Sequence, residues 1–216
     1  GPATLDGDTI TVDGGTLGIV GMGDEPMKFD TTLTFSGVAE TEDGGFTADS
    51  LTIPDIDTEF AQDPVGHLTL TDVEATNLYL PPEEDISTLA LLESMGTFST
   101  GPLLITRDGE DFFSIDSLSA VNDFTYDDAE ELVDIHSTFD VSGMWADLTG
   151  MAEEDPEAGA VIGALGLTEI RGNISQVMDW SMADGHLVVE EFLFDFDDVG
   201  ALDIKMDVSG FTPAVL

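Results

Sequence analysis

Apolar and polar residues alternate along most of this chain. Near its end Leu202, Ile204, Met206 and Val208 are separated by Asp203, Lys205 and Asp207. A period of two gives a strand one wet side and one buried side. Just upstream, "HLVVEEFLFDFDD" sets Phe192, Phe194 and Phe196 on one side and Glu191, Leu193, Asp195 and Asp197 on the other. "LTEIRGNISQVMDW" aligns Ile170, Ile174, Met178 and Trp180 in the same way. Asp184-Gly185 lies between these two segments, and "DDVG" follows the second. Asp-Gly supplies the positive-φ positions of a two-residue hairpin turn. Residues 167 to 209 therefore predict a three-stranded antiparallel meander.

The same plan occurs earlier. "GPLLITR" leads to Asp108-Gly109, then to "EDFFSIDSLSAV". Beyond an acidic loop, "LVDIHSTFDVSG" aligns Val133, Ile135, Phe139 and Val141. A helical stretch is expected before each meander. Pro81-Pro82 with Glu83, Glu84 and Asp85 suits a helix start, Ile86, Leu89 and Leu92 recur at a helical interval, and Gly96 ends it. In "DPEAGAVIGALG", Asp155 can cap and Pro156 fits the first turn. Val161, Ile162 and Leu165 share a face, and Gly166 suits C′. Met144 to Ala152 reads as a further short helix bearing Trp145 and Leu148.

The chain thus divides into a strand-rich portion, 3–79, and two helix-plus-meander units, 80–143 and 144–210, with Gly1-Pro2 as the scar of a cleaved tag. Asp-Val-Ser-Gly occurs at 140–143 and again at 207–210, and Ser36-Gly37 echoes it. The phrase reads as a hinge from a meander's last strand into the next helix, which makes the units an internal repeat. On this reading residues 211–216 are poorly packed and further units follow them. The expected fold is mainly β, in the α+β sense. Antiparallel meanders form an extended or curved sheet, with short amphipathic helices packed on one face.

Composition narrows the partners. The 216 residues include 46 acidic and 4 basic ones, a formal net charge of −42. Nucleic acid is excluded, because no Lys/Arg patch can be assembled to neutralise phosphates. Docking to an anionic membrane surface is disfavoured for the same reason. Disorder is not implied, since 42% of residues are hydrophobic and thirteen are Phe. The charge reads first as solvation in a salty medium and second as attraction for cations or a basic partner. With no Cys there is no disulfide, thiolate metal site or thiol nucleophile. No stretch reaches the ~20 apolar residues of a membrane-spanning helix.

No motif carries catalysis. Glu153-Glu154-Asp155, Asp127-Asp128-Ala129-Glu130-Glu131 and Asp195-Phe196-Asp197-Asp198 lack the spacing of an EF-hand loop. His67, His136 and His186 fall in separate predicted strands. Gly18-Ile19-Val20-Gly21-Met22-Gly23 has the wrong spacing for a phosphate loop and no helix after it. Asn173-Ile174-Ser175 matches a glycosylation sequon but lies inside a predicted strand. No catalytic residue, metal ligand or cofactor is therefore assigned. The informative feature is the apolar load of the strands: Phe112, Phe192, Phe194, Phe196, Met178, Trp180 and Met206 line faces that need a cover. An ordinary core accounts for them, and so does an aromatic-lined groove for acyl chains.

"ALGLTEIRGNISQVMDW" followed by "HLVVEEFLFDFDDVGALDIKMDVSGFTPAVL" resembles uncharacterised Gram-negative envelope proteins built from repeated helix-plus-meander units. More loosely, residues 80 to 216 are similar to AsmA-like and lipopolysaccharide-transport β-groove proteins. The resemblance implies a periplasmic location (a signal segment having been removed), elongated β architecture and lipid handling. It carries over no site residue. The expectation is a non-enzymatic periplasmic or envelope protein that binds a lipid-like ligand, or an envelope protein partner, on an aromatic sheet face. The alternative is a structural or adhesive module stabilised by Ca²⁺ or by a cationic protein partner. Because screening relieves self-repulsion, the melting midpoint rises between low and molar NaCl. The Ca²⁺ alternative requires a further rise on adding millimolar Ca²⁺, beyond what Na⁺ of equal ionic strength gives in the same melting curves.

Overall fold

The computed structural model describes residues 2–19, 27–60, 65–82, 90, 93–129, 131–149 and 156–213. Among them, seventeen strands form one antiparallel sheet that does not close. They are β1 (Ala3–Asp6), β2 (Thr9–Ile19), β3 (Met27–Ser36), β4 (Ala39–Glu40), β5 (Phe46–Thr52), β6 (Ile56–Phe60), β7 (Gly66–Leu70), β8 (Glu74–Leu80) and β9 (Met95–Thr100). Then come β10 (Leu103–Arg107), β11 (Glu110–Ile115), β12 (Ser117–Tyr126), β13 (Leu132–Asp147), β14 (Glu169–Ser181), β15 (His186–Phe196), β16 (Gly200–Asp203) and β17 (Met206–Val208). One helix, α1 (Pro156–Leu165), stands between β13 and β14.

Many of these strands are halves of longer arms. β5–β6, β7–β8, β9–β10 and β11–β12 each form one arm broken by a bend, and pairing resumes beyond the bend in the same register. Glu74 faces Ser99 in β8–β9, and Leu70 faces Leu103 in β7–β10. Ser117 faces Ser142 in β12–β13, and Ser114 faces Trp145 in β11–β13. The whole sheet is thus a meander of long, bent antiparallel neighbours.

At each bend the apolar residues change parity. In β9 Phe98 belongs to the apolar side, but in β10 it is Leu103 and Ile105. In β13 Phe139 and Val141 give way to Met144 and Ala146. One extra residue in each of two paired arms keeps the same physical face apolar without a register shift, and an unmatched one, as in a β-bulge, occurs in β13 against β14. Packing bears this out. Ile53 and Val73, at the bends, lie against the buried cluster Ile56, Leu68, Leu70 and Ile105 on the far side.

The bends are built from Gly, Pro and Asp. Asp72 and Gly143 take φ of 53° and 61°, a conformation with little cost for Gly and tolerated by Asp. Asp116 lies over Gly143, Asp72 over Gly101 and Asp49 over Gly37, so that a Cβ on any of these glycines would overlap the carboxylate. Backbone donors are satisfied locally. The Asp72 amide donates to the Asp55 carboxylate (3.3 Å) and the Gly143 amide to Asn173 Oδ1 (3.0 Å).

The meander expected over 167 to 209 is present as β14, β15 and β16–β17. Asp108 and Gly109 adopt φ of 50° and 82°, a type I′ turn. Helix α1 begins at Pro156, and Gly166 follows it at φ 70°. Its Val161 and Leu165 are exposed, so this apolar stripe is not buried.

Other expectations are corrected. Residues 144–147 are strand, because they pair with β14, Leu148-Thr149 is helical, and 150–152 lie outside the described residues. Gly143 is therefore a mid-strand bulge and not a hinge into a helix. Gly96 does not end a helix but pairs within β9. The helix expected after Pro82 falls at 83–89 and 91–92, outside the described residues. Nor is the start of the tail unpacked: the Phe211 amide donates to the Gly185 carbonyl (2.8 Å), and its ring lies against Trp180 (centroids 5.3 Å apart). Residues 214–216 lie outside the described residues.

Gly143→Ala and Gly7→Ala separate backbone from steric cost. Both sites have positive φ, but nothing lies within 4 Å of a Cβ at Gly7. Gly7→Ala is expected to cost about 1 kcal/mol and Gly143→Ala about 2–3 kcal/mol, read from denaturant midpoints. Adding Asp116→Ala to Gly143→Ala recovers the difference.

Candidate functional site

Following partners across the sheet yields one row that is apolar at every position but Gln176. Ile10, Phe35, Leu51, Ala75, Phe98, Ala120, Phe139, Gln176, Phe192 and Ile204 each stand opposite the next. At about 4.8 Å per strand the row spans about 43 Å. A second row joins Leu118, Val141, Ile174, Phe194 and Leu202. The opposite face is polar. There Thr34, Thr52, Glu74, Ser99, Ser119, Asp140 and Ser175 form the matching row.

Among the described residues no second layer covers the apolar face: every pair of elements in extensive contact is a pair of strand neighbours. The chain exposes 12988 Å² at a mass of 22.9 kDa, against about 9,600 Å² for a compact monomer of that mass. The phenylalanines of the row are half-buried by one another and by their same-face neighbours.

Five of the seven residues singled out by sequence form one patch. Phe192, Phe194 and Phe196 stack along β15, with centroids 4.6 and 6.3 Å apart. Met178 faces Val189, which faces Met206. Trp180 is in register with them but is only 4% exposed. Phe211 covers its ring, and its indole donates to the Phe211 carbonyl (2.7 Å). It belongs to a core cluster with Ile135 and Met182. Phe112 is elsewhere, against the Leu68–Ile105 cluster, with the Arg107 guanidinium 3.7 Å over its ring. Sequence did not single out Phe35, Phe98 or Phe139 as ligand-face residues, although Phe139 was aligned with Ile135 and Val141. Only the register puts them in line with Phe192. Leu202, Ile204, Met206 and Val208 do not have a buried side: residues 200–208 are all exposed.

The polar face holds the histidines, each bonded to a neighbouring-strand Asp. His67 meets Asp57 (2.7 Å), His136 meets Asp179 (2.7 Å) and His186 meets Asp207 (2.8 Å). Among the described residues no three His, Asp or Glu converge on a possible metal position. At the β11–β13–β14 bend lies a hollow of about 480 Å³ lined by Asp111, Asp116, Trp145, Arg171, Asn173 and Asp197. Its wall is fixed by Glu169, which accepts from the Trp145 indole (2.9 Å) and from Arg171 Nε (3.2 Å). A second hollow, about 400 Å³, opens among Asn77, Tyr79, Asn122, Phe124 and Tyr126. Partial burial, then the Glu93 carboxylate, push the Tyr126 phenol up to about 12.

No protein-family model, curated protein or solved structure matches the chain. No helix among the described residues is long and apolar enough to cross a membrane.

The Trp145 bond, and then Arg171, hold the Glu169 carboxyl below its ordinary value of 4.5. Such a depressed group stabilises the fold above pH 4.5 and loses that contribution as pH falls through its lower folded-state value. The Trp145 indole N–H resonance, followed from pH 6 to 2, should titrate with a midpoint below 4.5, and Arg171→Gln should raise it.

Proposed function

We propose that the protein binds a lipid-like, uncharged or cationic hydrophobic ligand along the apolar face of its sheet and performs no catalysis. The observation that carries this reading is the row from Ile10 to Ile204, about 43 Å long, with no described element packed over it. A contiguous apolar surface of this size on a monomer favours a partner or ligand. Its Phe and Met side chains suit flexible acyl chains. The periplasmic or envelope setting rests on the resemblance of residues 80–216 to helix-plus-meander envelope proteins. The net charge of −42 disfavours anionic headgroups unless divalent cations bridge them.

N-phenyl-1-naphthylamine tests the site, because this neutral probe is not repelled by the acidic surface. Its fluorescence should rise on binding, and Phe139→Gln with Phe192→Gln should weaken binding about tenfold or more, given about 1.5–3 kcal/mol per buried Phe. Leu68→Ala, in the sealed cluster, should cost about 3 kcal/mol of stability and leave probe affinity unchanged. Purified protein carrying no extractable lipid, together with no probe binding, would overturn the reading.

A further inference from the structure

The far edge of the sheet is built to accept another strand. β16–β17 pairs inward only: Ile204 and Phe192 exchange both backbone bonds (3.1 and 2.9 Å). Alternation along an antiparallel ladder then turns the N–H and C=O groups of Ala201 and Asp203 outward, where no described strand meets them. The edge is also apolar on one side. Leu202, Ile204, Met206 and Val208 are 57%, 36%, 46% and 40% exposed, and they extend the row that runs through Phe192 and Phe194. Natural edges are blunted by shortness, by Lys, by Pro or by inward-pointing charge, and of these the edge has short strands, of four and three residues, and one Lys. Residues 200–208 contain no Pro, and the lone cation, Lys205, lies on the polar side, paired to Asp203 at 3.2 Å.

We propose that β16–β17 docks an extended basic segment of another protein, which adds to the sheet as its next strand. Charge selects this occupant. A second copy would bring −42 against −42, whereas a segment alternating Lys or Arg with apolar residues complements both sides of the edge. Its cations would face Asp203 and Asp207, and its apolar side chains would extend the row of Leu202, Ile204 and Met206. Backbone bonds supply affinity and the alternating side chains supply selectivity in strand addition. This proposal does not depend on a ligand occupying the sheet face.

A fluorescein-labelled nonapeptide of alternating Leu and Lys, followed by polarisation, is the probe. Binding at micromolar concentration is expected, with at least tenfold weakening when alternate peptide amides are N-methylated and no binding by the Leu/Glu counterpart. Ala201→Pro removes one outward N–H but no inward bond. It should weaken the peptide at least tenfold while the melting midpoint and naphthylamine binding stay unchanged. Leu202→Lys should likewise weaken the peptide, by repulsion and without touching the backbone. Equal binding of the N-methylated peptide would mean simple attraction to a polyanion and would sink the proposal. So would undiminished binding by both variants, or concentration-dependent oligomers with the peptide excluded, which would make a second copy the occupant.

Discussion

The structure depends on one residue inserted per arm at a bend that crosses most of the sheet. A strand alternates strictly, so an arm of thirteen or fifteen residues such as 95–107 or 66–80 could not bend and still keep one face dry. The inserted residue resets the parity. Where the neighbouring arm inserts one at the same level the backbone ladder resumes in its former register, whereas between β13 and β14 it shifts by one between Val141 and Met144. Each insertion needs a tight backbone, and the chain supplies Asp-over-Gly contacts where two arms must approach most closely. Asp116 against Gly143 and Asp72 against Gly101 are the same solution on different arm pairs. The acidic residues at the bends are thus acceptors for strained backbone as well as solvating charge.

Bending also limits what the sheet can bury. Two packed layers would hide the apolar face, but here shielding comes from same-face neighbours and from short clusters at either end. Leu68 and Ile105 are fully buried where Phe60, Phe112 and Phe113 gather. At the opposite end Phe211 closes over Trp180. Between them, among the described residues, the row of phenylalanines has only its own neighbours. Cross-strand pairs contribute modestly, roughly 0.2–1 kcal/mol each, so stability here comes from many such pairs in place of one deep core.

Strands, hairpin turns and α1 were legible because each is encoded locally. Asp108-Gly109 forms its turn wherever the strands lead, and Pro156 with Gly166 brackets a helix by backbone chemistry alone. The bends were not legible. A parity change inside an alternating segment looks like the end of one strand, which is why Ser142-Gly143 read as an exit and Met144 to Ala152 as a helix. The site was legible in part for a related reason. Alternation says that Phe192, Phe194 and Trp180 share a side, but not what stands above them. Phe211 covers Trp180 from thirty-one positions away. Phe112 stands beside Phe113 at a register irregularity, beyond the bend, and belongs to another cluster.

Charge and apolar surface divide the molecule between two faces, and the division constrains both proposed interactions. The acids gather on the polar face and at the bends, where His67, His136 and His186 each engage one of them. The apolar rows carry almost no ionisable group. Field from the polar side still reaches across a single layer, since a sheet with its side chains, about 10 Å thick, is comparable with the ~8 Å screening length at physiological salt and excludes screening ions. A molecule approaching the apolar face therefore meets apolar contact and negative potential together. An uncharged chain gains the first without penalty from the second, a basic strand at the β16–β17 edge gains from both, and an anionic amphiphile is opposed. Selectivity can thus arise from the thinness of the sheet, without a dedicated charged residue on the binding face.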